Sequence, residues 1–231
     1  SNIPKYFVNR GAVKIEIEDF EGAINDFSKA IEIDPKNKTA YYNRGNSYSS
    51  LDRPYDAISD YTKALEIDPN YLEAINNRAN TKFDIIDDYS GAIEDYSIVL
   101  ELDPKNGTAY YNRGLSKYNL EKYEESIDDF IRASELYPDW SWSYFGIGLA
   151  NYDLDNFKLA IENFQKSIDV DPQNEDLKNE ESYYNMGLSK FEIGDYEEAI
   201  YDFTEAINLN NENSNYYNDR GLSKDRLEDY K

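Results

Sequence analysis

The chain has 231 residues, of which 40% are hydrophobic, so it is long enough to bury a sizeable core. Against 47 Asp and Glu residues stand 24 Lys and Arg residues, and the net charge of −23 disfavours nucleic acid and anionic membranes as partners. Because Cys and His are both absent, disulfides, thiolate nucleophiles, thiolate or imidazole metal ligands and imidazole bases are excluded.

A short motif returns through the chain at a nearly constant interval. The letters AYYNRG stand at Ala40–Gly45 and again at Ala109–Gly114. The small residue that ends the motif has counterparts along the whole chain, at Gly11, Gly45, Ala79, Gly114, Gly148, Gly187 and Gly221, with successive gaps of 34, 34, 35, 34, 39 and 34 residues. We call these residues the marks. Twelve or 13 positions after each of the first six marks comes a second small residue, four residues later an aromatic, and a proline closes five of the six units. Such a period indicates one supersecondary unit that is built repeatedly.

Each unit is predicted to form two helices. In the second unit Tyr41, Gly45 and Tyr48 are spaced four and three residues apart, which places them on one helical face. Pro54 suits the first turn of the next helix, and Pro69 ends that helix. In chain order the pattern predicts thirteen helices, two in each repeat at about 4–37, 38–71, 72–106, 107–140, 141–179 and 180–213, and one in a partial seventh repeat at 214–231.

An aromatic residue, a glycine four residues later, and then Ala, an aromatic and Pro at these offsets resemble the tetratricopeptide repeat family. The resemblance implies an all-α fold, a right-handed superhelical solenoid of antiparallel helix pairs that runs as a single domain over residues 1–231. It further implies a concave surface, formed by the first helix of each pair, that holds a peptide segment of a partner. Neither catalysis nor a cofactor is implied.

Three positions on each first helix lie on the face that the resemblance makes concave: three before, one after and four after the mark. In the second and third repeats these positions are mostly polar, whereas in the fourth to sixth they read aromatic, leucine, aromatic. We call the residues at these positions of one helix its stripe, and Trp142 extends the stripe of the fifth repeat by one helical turn. The predicted groove residues are therefore Tyr111, Leu115, Tyr118, Trp142, Phe145, Leu149, Tyr152, Tyr184, Leu188 and Phe191. None is ionised, although 31% of the chain is charged. We therefore predict a groove for a protein or peptide with apolar anchors and basic flanks.

The groove hypothesis carries two specific expectations. Trp142 and Phe145 should act as binding hot spots that can be truncated with little loss of stability. Trp140 should point elsewhere, into the junction with the preceding helix. The alternative interpretation is that the aromatic side chains only fill the space between neighbouring helices.

A second candidate function is a structural scaffold whose open ends stack with other copies of the chain. The last predicted helix should bury Leu222 and Leu227 against the sixth repeat and leave its other face open. Nucleic acid, membranes and metal ions are not expected as partners, and the compartment is unknown, with the cytoplasm favoured because no signal peptide is visible.

Charged residues also recur with the period. An arginine precedes five of the marks, and an aspartate precedes the aromatic of five second helices. Both are missing from the fifth repeat, which has Ile147 and Asn163 instead. The pattern indicates buried ion pairs with a structural role, within repeats or between them.

One stretch is longer than its counterparts. Between Pro172 and Gly187 the chain has five more residues than the other units, within the stretch NEDLKNEE. We expect a helical extension there, since Glu175 and Asp176 suit a helix N-terminus.

Overall fold

The computed structural model describes residues 3–173 and 179–229, and within them every regular element is an α-helix. In chain order these are α1 (Ile3–Glu16), α2 (Phe20–Ile33), α3 (Lys38–Ser50), α4 (Pro54–Ile67), α5 (Leu72–Asp84), α6 (Tyr89–Leu102), α7 (Gly107–Asn119), α8 (Tyr123–Leu136), α9 (Ser141–Asp153), α10 (Phe157–Val170), α11 (Asn179–Glu192), α12 (Tyr196–Leu209) and α13 (Ser214–Asp229). The thirteen helices confirm the all-α class, and odd-numbered helices are the first helices of their repeats.

Several helices begin at a capping side chain. Asp19 and Asp88 each accept a hydrogen bond from the backbone N–H three residues further on, at the start of α2 and α6. Asn37 and Asn106 do the same for α3 and α7. These bonds satisfy donors that the first helical turn leaves open, and so they define where the helices start.

A left-handed residue reverses the chain between the two helices of each full repeat. These residues are Glu18, Asp52, Asp87, Glu121, Asp155 and Gly194, with φ between 53° and 83°. Only Gly194 is a glycine, so the other five residues have a backbone conformation that L-residues rarely adopt. The tight reversal allows the second helix to pack antiparallel against the first.

The helices cluster into two compact units. The first is Ser1–Lys105, with α1 to α6, and the second is Asn106–Lys231, with α7 to α13. Inside each unit consecutive helices pack on one another, and first helices of neighbouring repeats also touch: α1 with α3, α3 with α5, α7 with α9, α9 with α11, and α11 with α13. The continuous solenoid and the repeat boundaries stay predictions.

Five of the glycine marks, all but Gly221, lie directly against an aromatic ring of the same repeat. A Cβ added to Gly45 would lie 2.7 Å from Tyr61 and 3.3 Å from the Ala57 carbonyl oxygen. Gly114 and Phe130 have the same relation, at 2.8 Å. The two helices thus approach closely where the second small residue stands, but the ring leaves the least room for a side chain.

The recurring arginines pair with aspartates inside their own repeats. In the second repeat Arg44 Nε donates to Asp60 Oδ2 at 2.7 Å and Arg44 Nη2 donates to Oδ1 at 2.8 Å. Arg10 forms the same two bonds with Asp26 and holds the pKa of that carboxyl below its usual range. Arg78 and Arg113 repeat the arrangement, which decides between the two pairings that the sequence left open.

The sixth repeat departs from this arrangement. Met186 takes the arginine position, and Lys190 Nζ lies 2.7 Å from Asp202 Oδ2 as an ion pair without good hydrogen-bond geometry. The carboxyl group is 1% exposed, and this burial raises the pKa of Asp202 to about 6. The buried carboxylate of Asp202 thus has one Lys partner, whereas the corresponding aspartates of the first, third and fourth repeats each have an Arg and a Lys.

Two further predictions concern the stretch after Pro172 and the last helix, α13. The predicted extension at Glu175 and Asp176 lies outside the described residues. Of the two leucines predicted to be buried, Leu227 is half-buried, but the prediction for Leu222 is wrong, because Leu222 is 43% exposed. Instead Tyr216, which is 3% exposed, packs against Ala206 of α12. Tyr216, and not Leu222, is therefore the α13 side chain that faces the sixth repeat.

Candidate functional site

The ten predicted groove residues all lie on α7, α9 and α11, in the second compact unit. We call this set the aromatic face. Eight of its side chains are half-buried, namely Leu115, Tyr118, Trp142, Leu149, Tyr152, Tyr184, Leu188 and Phe191. Tyr111 and Phe145 are only 7% exposed, so they support the surface from below.

Tyr111 joins α7 to α9 through tilted and edge-on contacts between aromatic rings. Its ring centroid lies 4.8 Å from that of Trp140, 6.3 Å from that of Trp142 and 5.6 Å from that of Phe130. Trp140 also packs edge-on against Tyr137 at 5.8 Å and lines a cleft of about 550 Å³ at the end of α8. Trp140 therefore points into the junction with the preceding helix, as expected, while Trp142 stays half-buried.

Phe145 belongs to the core of the fifth and sixth repeats. Its ring centroid lies 5.7 Å from that of Phe164, and it shares a buried cluster with Ala160, Ile168 and Met186. Truncating this side chain would open a cavity. The expectation that Phe145 can be removed with little loss of stability is therefore wrong.

The last aromatic of each stripe also packs within its own repeat. Tyr118 lies against Tyr123 at 5.4 Å, and Phe191 lies against Tyr196 at 5.2 Å, in each case the first residue of the following helix. Tyr152 packs on α10 in the same manner. One face of each of these rings therefore packs on the second helix of its repeat, and the other face is accessible to solvent.

Carboxylates border the aromatic face. The Tyr118 hydroxyl donates to Asp153 on α9, and the Tyr184 hydroxyl donates to Asp219 Oδ2 on α13 at 2.8 Å. Burial, together with these carboxylates, raises the pKa of both tyrosines, so both hydroxyls remain protonated donors at neutral pH. Sequence reasoning missed these acids because each lies 35 residues from its tyrosine, on the next first helix.

The first compact unit has a polar cavity in the corresponding place. Its volume is about 320 Å³, and asparagines of α3 and α5 are prominent in its lining. Asn46 Oδ1 accepts bonds from the Tyr61 hydroxyl and from Asn77 Nδ2, both at 2.8 Å, and Asn80 Oδ1 accepts one from Tyr96. The amide oxygens are therefore engaged inside the unit, and they link the neighbouring helices.

The described residues provide neither a cluster of metal ligands nor a membrane-spanning helix. No group of three or more acidic side chains there is arranged to hold a metal ion. Of the helices in the same residues, none combines the length and apolar character required to cross a membrane.

Three sequence profiles match the chain. One described as Tetratricopeptide repeat matches residues 39–71 and 180–213, one described as TPR repeat matches 11–52 and 87–121, and a further Tetratricopeptide repeat profile matches 106–173. The chain therefore belongs to the tetratricopeptide repeat family, whose members are typically interaction modules and not enzymes. No curated protein matches the chain.

Solved structures share the fold. A crystal structure of the MamA protein superposes with a TM-score of 0.71 at 24% identity and covers 75% of this chain and 94% of its own. YrrB, described as a TPR protein with an unusual peptide-binding site, gives 0.69 at 23% identity, over 83% and 96%. A tetratricopeptide repeat protein from Parabacteroides merdae gives 0.68 at 17% identity, over 97% and 100%. At these identities the likeness shows the fold.

Proposed function

We propose that the chain is a non-enzymatic interaction module that holds a partner peptide on the aromatic face. The observation that carries the proposal is the exposure pattern of α7, α9 and α11. Eight uncharged aromatic and leucine side chains stay half-buried on three helices that touch in sequence, above two buried aromatics. Rigid aromatic anchors of this kind lose little conformational entropy when a ligand covers them.

The charge around the aromatic face indicates the chemistry of the peptide. Asp153 and Asp219 accept bonds from Tyr118 and Tyr184 at its border, and the whole chain carries −23. A peptide with apolar anchors and Lys or Arg on either side would place its cations near these carboxylates. Such complementarity raises the association rate and favours this partner over acidic ones.

Truncation of Trp142 tests the proposal. Peptides selected from a random library on the wild-type chain should lose about 2 kcal/mol of binding free energy against Trp142→Ala, since a central aromatic anchor is removed. Fluorescence anisotropy of the labelled peptide measures this loss. Tyr201 offers a matched control, because it is an exposed aromatic on α12, a second helix of the same compact unit.

Two outcomes would contradict the proposal. One is equal binding of the selected peptides to the wild type and to Trp142→Ala. The other is an equal loss of affinity in Trp142→Ala and Tyr201→Ala, which would locate binding outside the aromatic face. Circular dichroism on both variants establishes that they are folded before affinities are compared.

A second candidate function, a self-associating scaffold, is favoured by the exposed apolar side chains of α1. Ile3, Tyr6 and Val13 are 53%, 57% and 61% exposed. An exposed apolar helix can pack on another copy of the chain in a head-to-tail contact. The aromatic face would then contribute to the stability of the array and not to recognition.

Sedimentation velocity over a rising concentration series tests the scaffold. It predicts association that Val13→Asp abolishes, since the substitution places a charge in the contact. A single monomeric species at every concentration would reject the scaffold and leave peptide binding as the function.

A further inference from the structure

The loop between α8 and α9 carries aromatic residues where the corresponding loops carry polar ones. Tyr137 occupies a position that is Asp or Asn in the other five full repeats, at Asp34, Asp68, Asp103, Asp171 and Asn210. In four of those loops this side chain accepts a hydrogen bond from the backbone N–H two residues later. Tyr137 cannot accept such a bond, because its only side-chain oxygen lies at the end of the ring.

Trp140 replaces a helix-capping residue of the same loop. At the corresponding position Asn37 and Asn106 cap the following helix, whereas α9 begins without a side-chain cap. The backbone of the loop is unchanged, since Trp140 N–H donates to the Tyr137 carbonyl at 3.1 Å, as Asn37 N–H does to Asp34. The fourth repeat thus gives up two side-chain hydrogen bonds without a change of turn. Such a departure from local rules is typical of functional sites.

Gly107, the first residue of α7, makes room for the Tyr137 ring. A Cβ added to Gly107 would lie 2.4 Å from Tyr137 Cε2 and 2.6 Å from Cδ2, yet Tyr137 is 42% exposed. The rings of Tyr137 and Trp140 meet edge-on at 5.8 Å with an interplanar angle of 72°. We call these two rings the aromatic corner. They line the cleft of about 550 Å³ together with Thr108 and Asp139, all within the second compact unit.

The second repeat holds a cation at the corresponding place. The three positions of Gly107 and the aromatic corner are there, 69 residues earlier, Lys38, Asp68 and Tyr71. Lys38 Nζ lies 4.6 Å from the centroid of the Tyr71 ring and forms an ion pair with Asp68. An ammonium group therefore lies on the aromatic ring at this position of the repeat. In the fourth repeat the lysine is replaced by glycine, and the ring is the larger indole.

We propose that the aromatic corner binds a quaternary ammonium group, of the kind carried by trimethyllysine in a protein or by free choline. A primary ammonium donates three hydrogen bonds and needs acceptors such as Asp68. Tyr137 replaces that acceptor with a second ring. A quaternary ammonium has no N–H to satisfy and is attracted to the faces of aromatic rings. Asp139 and the net charge of −23 add a longer-range attraction for cations.

The test uses the full chain and follows the indole N–H signals of Trp140 and Trp142, its two tryptophans, by NMR. Trp142→Phe removes one signal and so assigns the other. Choline should shift the Trp140 signal to saturation. Its uncharged analogue, in which a tert-butyl group replaces the trimethylammonium group, should bind about tenfold more weakly. Equal affinity for the two compounds, an unchanged Trp140 signal, or a shift confined to Trp142 would overturn the proposal.

Two peptides that differ only in the methylation of one lysine distinguish the source of the group. The trimethyllysine peptide should bind about tenfold more tightly than the lysine peptide, since lysine lacks its acceptor at the aromatic corner. Equal binding of the two peptides would reject a site for quaternary ammonium. A trimethyllysine peptide that binds more tightly than choline assigns the group to a protein partner, and the reverse order assigns it to a small molecule.

Tyr137→Asn removes one ring and restores a residue that the sixth repeat has at this position, so the folded variant should bind choline about tenfold more weakly. Tyr201→Asn, the same change at an exposed tyrosine of α12, should bind choline as the wild type does. The double variant Gly107→Lys/Tyr137→Asp rebuilds the arrangement of the second repeat. Its introduced lysine should cover the Trp140 ring and abolish binding. Unchanged choline affinity in either cleft variant would contradict the proposal, and no outcome depends on the aromatic face.

Discussion

Asp129→Asn should lower the free energy of unfolding by about 3 kcal/mol at pH 7, since it breaks a buried ion pair by removing one partner. Arg113 Nη2 lies 2.6 Å from Asp129 Oδ1 and Lys117 Nζ lies 2.8 Å from Oδ2, and all three side chains are largely buried. Asparagine retains the shape of the side chain but cannot neutralise two cations. The loss should appear in urea denaturation as a lower midpoint.

The same substitution in the sixth repeat should have the opposite sign. Asp202 is buried with one cation, and its pKa of about 6 shows that burial disfavours the carboxylate. Asp202→Asn should therefore stabilise the chain at pH 7 by about 1 to 3 kcal/mol, since a pKa raised from 3.8 to about 6 corresponds to at most about 3 kcal/mol. Lys190 would still have Glu198, whose carboxylate lies 3.7 Å away.

The pH dependence gives an independent measure of the Asp202 effect. Because the folded pKa is above the ordinary value of 3.8, the folded state binds this proton more tightly than the unfolded state between pH 3.8 and about 6. The contribution of Asp202 to stability is then greatest below pH 3.8 and is lost as the pH rises through 6. The advantage of Asp202→Asn should grow over that interval. Destabilisation by both asparagine variants at pH 7 would show that Lys190 alone satisfies Asp202.

Phe145→Ala should cost about 3 to 5 kcal/mol of stability, because it empties a closed site among Ala160, Phe164, Ile168 and Met186. Trp142→Ala should cost less, since this side chain is half-buried and solvent can occupy part of the space. Thermal melts of both variants measure the difference. Equal stability losses would place Trp142 in the core too, and would remove the main anchor from the aromatic face.

Much of the fold could be predicted because the residues that specify a helix pair lie close together in the sequence of each repeat. The 34-residue period, the small marks and the aromatic of each second helix identify helix pairs, since spacings of three and four residues describe one helical face without reference to neighbours. The turns were less visible. Glu18 and Asp155 adopt left-handed conformations that sequence alone would assign to glycine.

Side-chain environment depended on contacts between repeats. The stripe on α9 placed Trp142 and Phe145 on one face, which is what a helical period can decide. Only the tertiary structure separated them, because Phe145 faces α10 and α11, whereas Trp142 lies at the edge of the cluster beside α7. Leu222 was misjudged for the same reason, since Tyr216 occupies the contact with α12.

The sequence by itself determined the family, the number of helices and the residue types that line each first helix, because these follow from a local pattern written several times. The tertiary structure decided that Arg113 pairs with Asp129 within one repeat. Partners 16 residues apart on two helices come together only when the turn angle and the helix packing are known. A periodic sequence records neither of these directly.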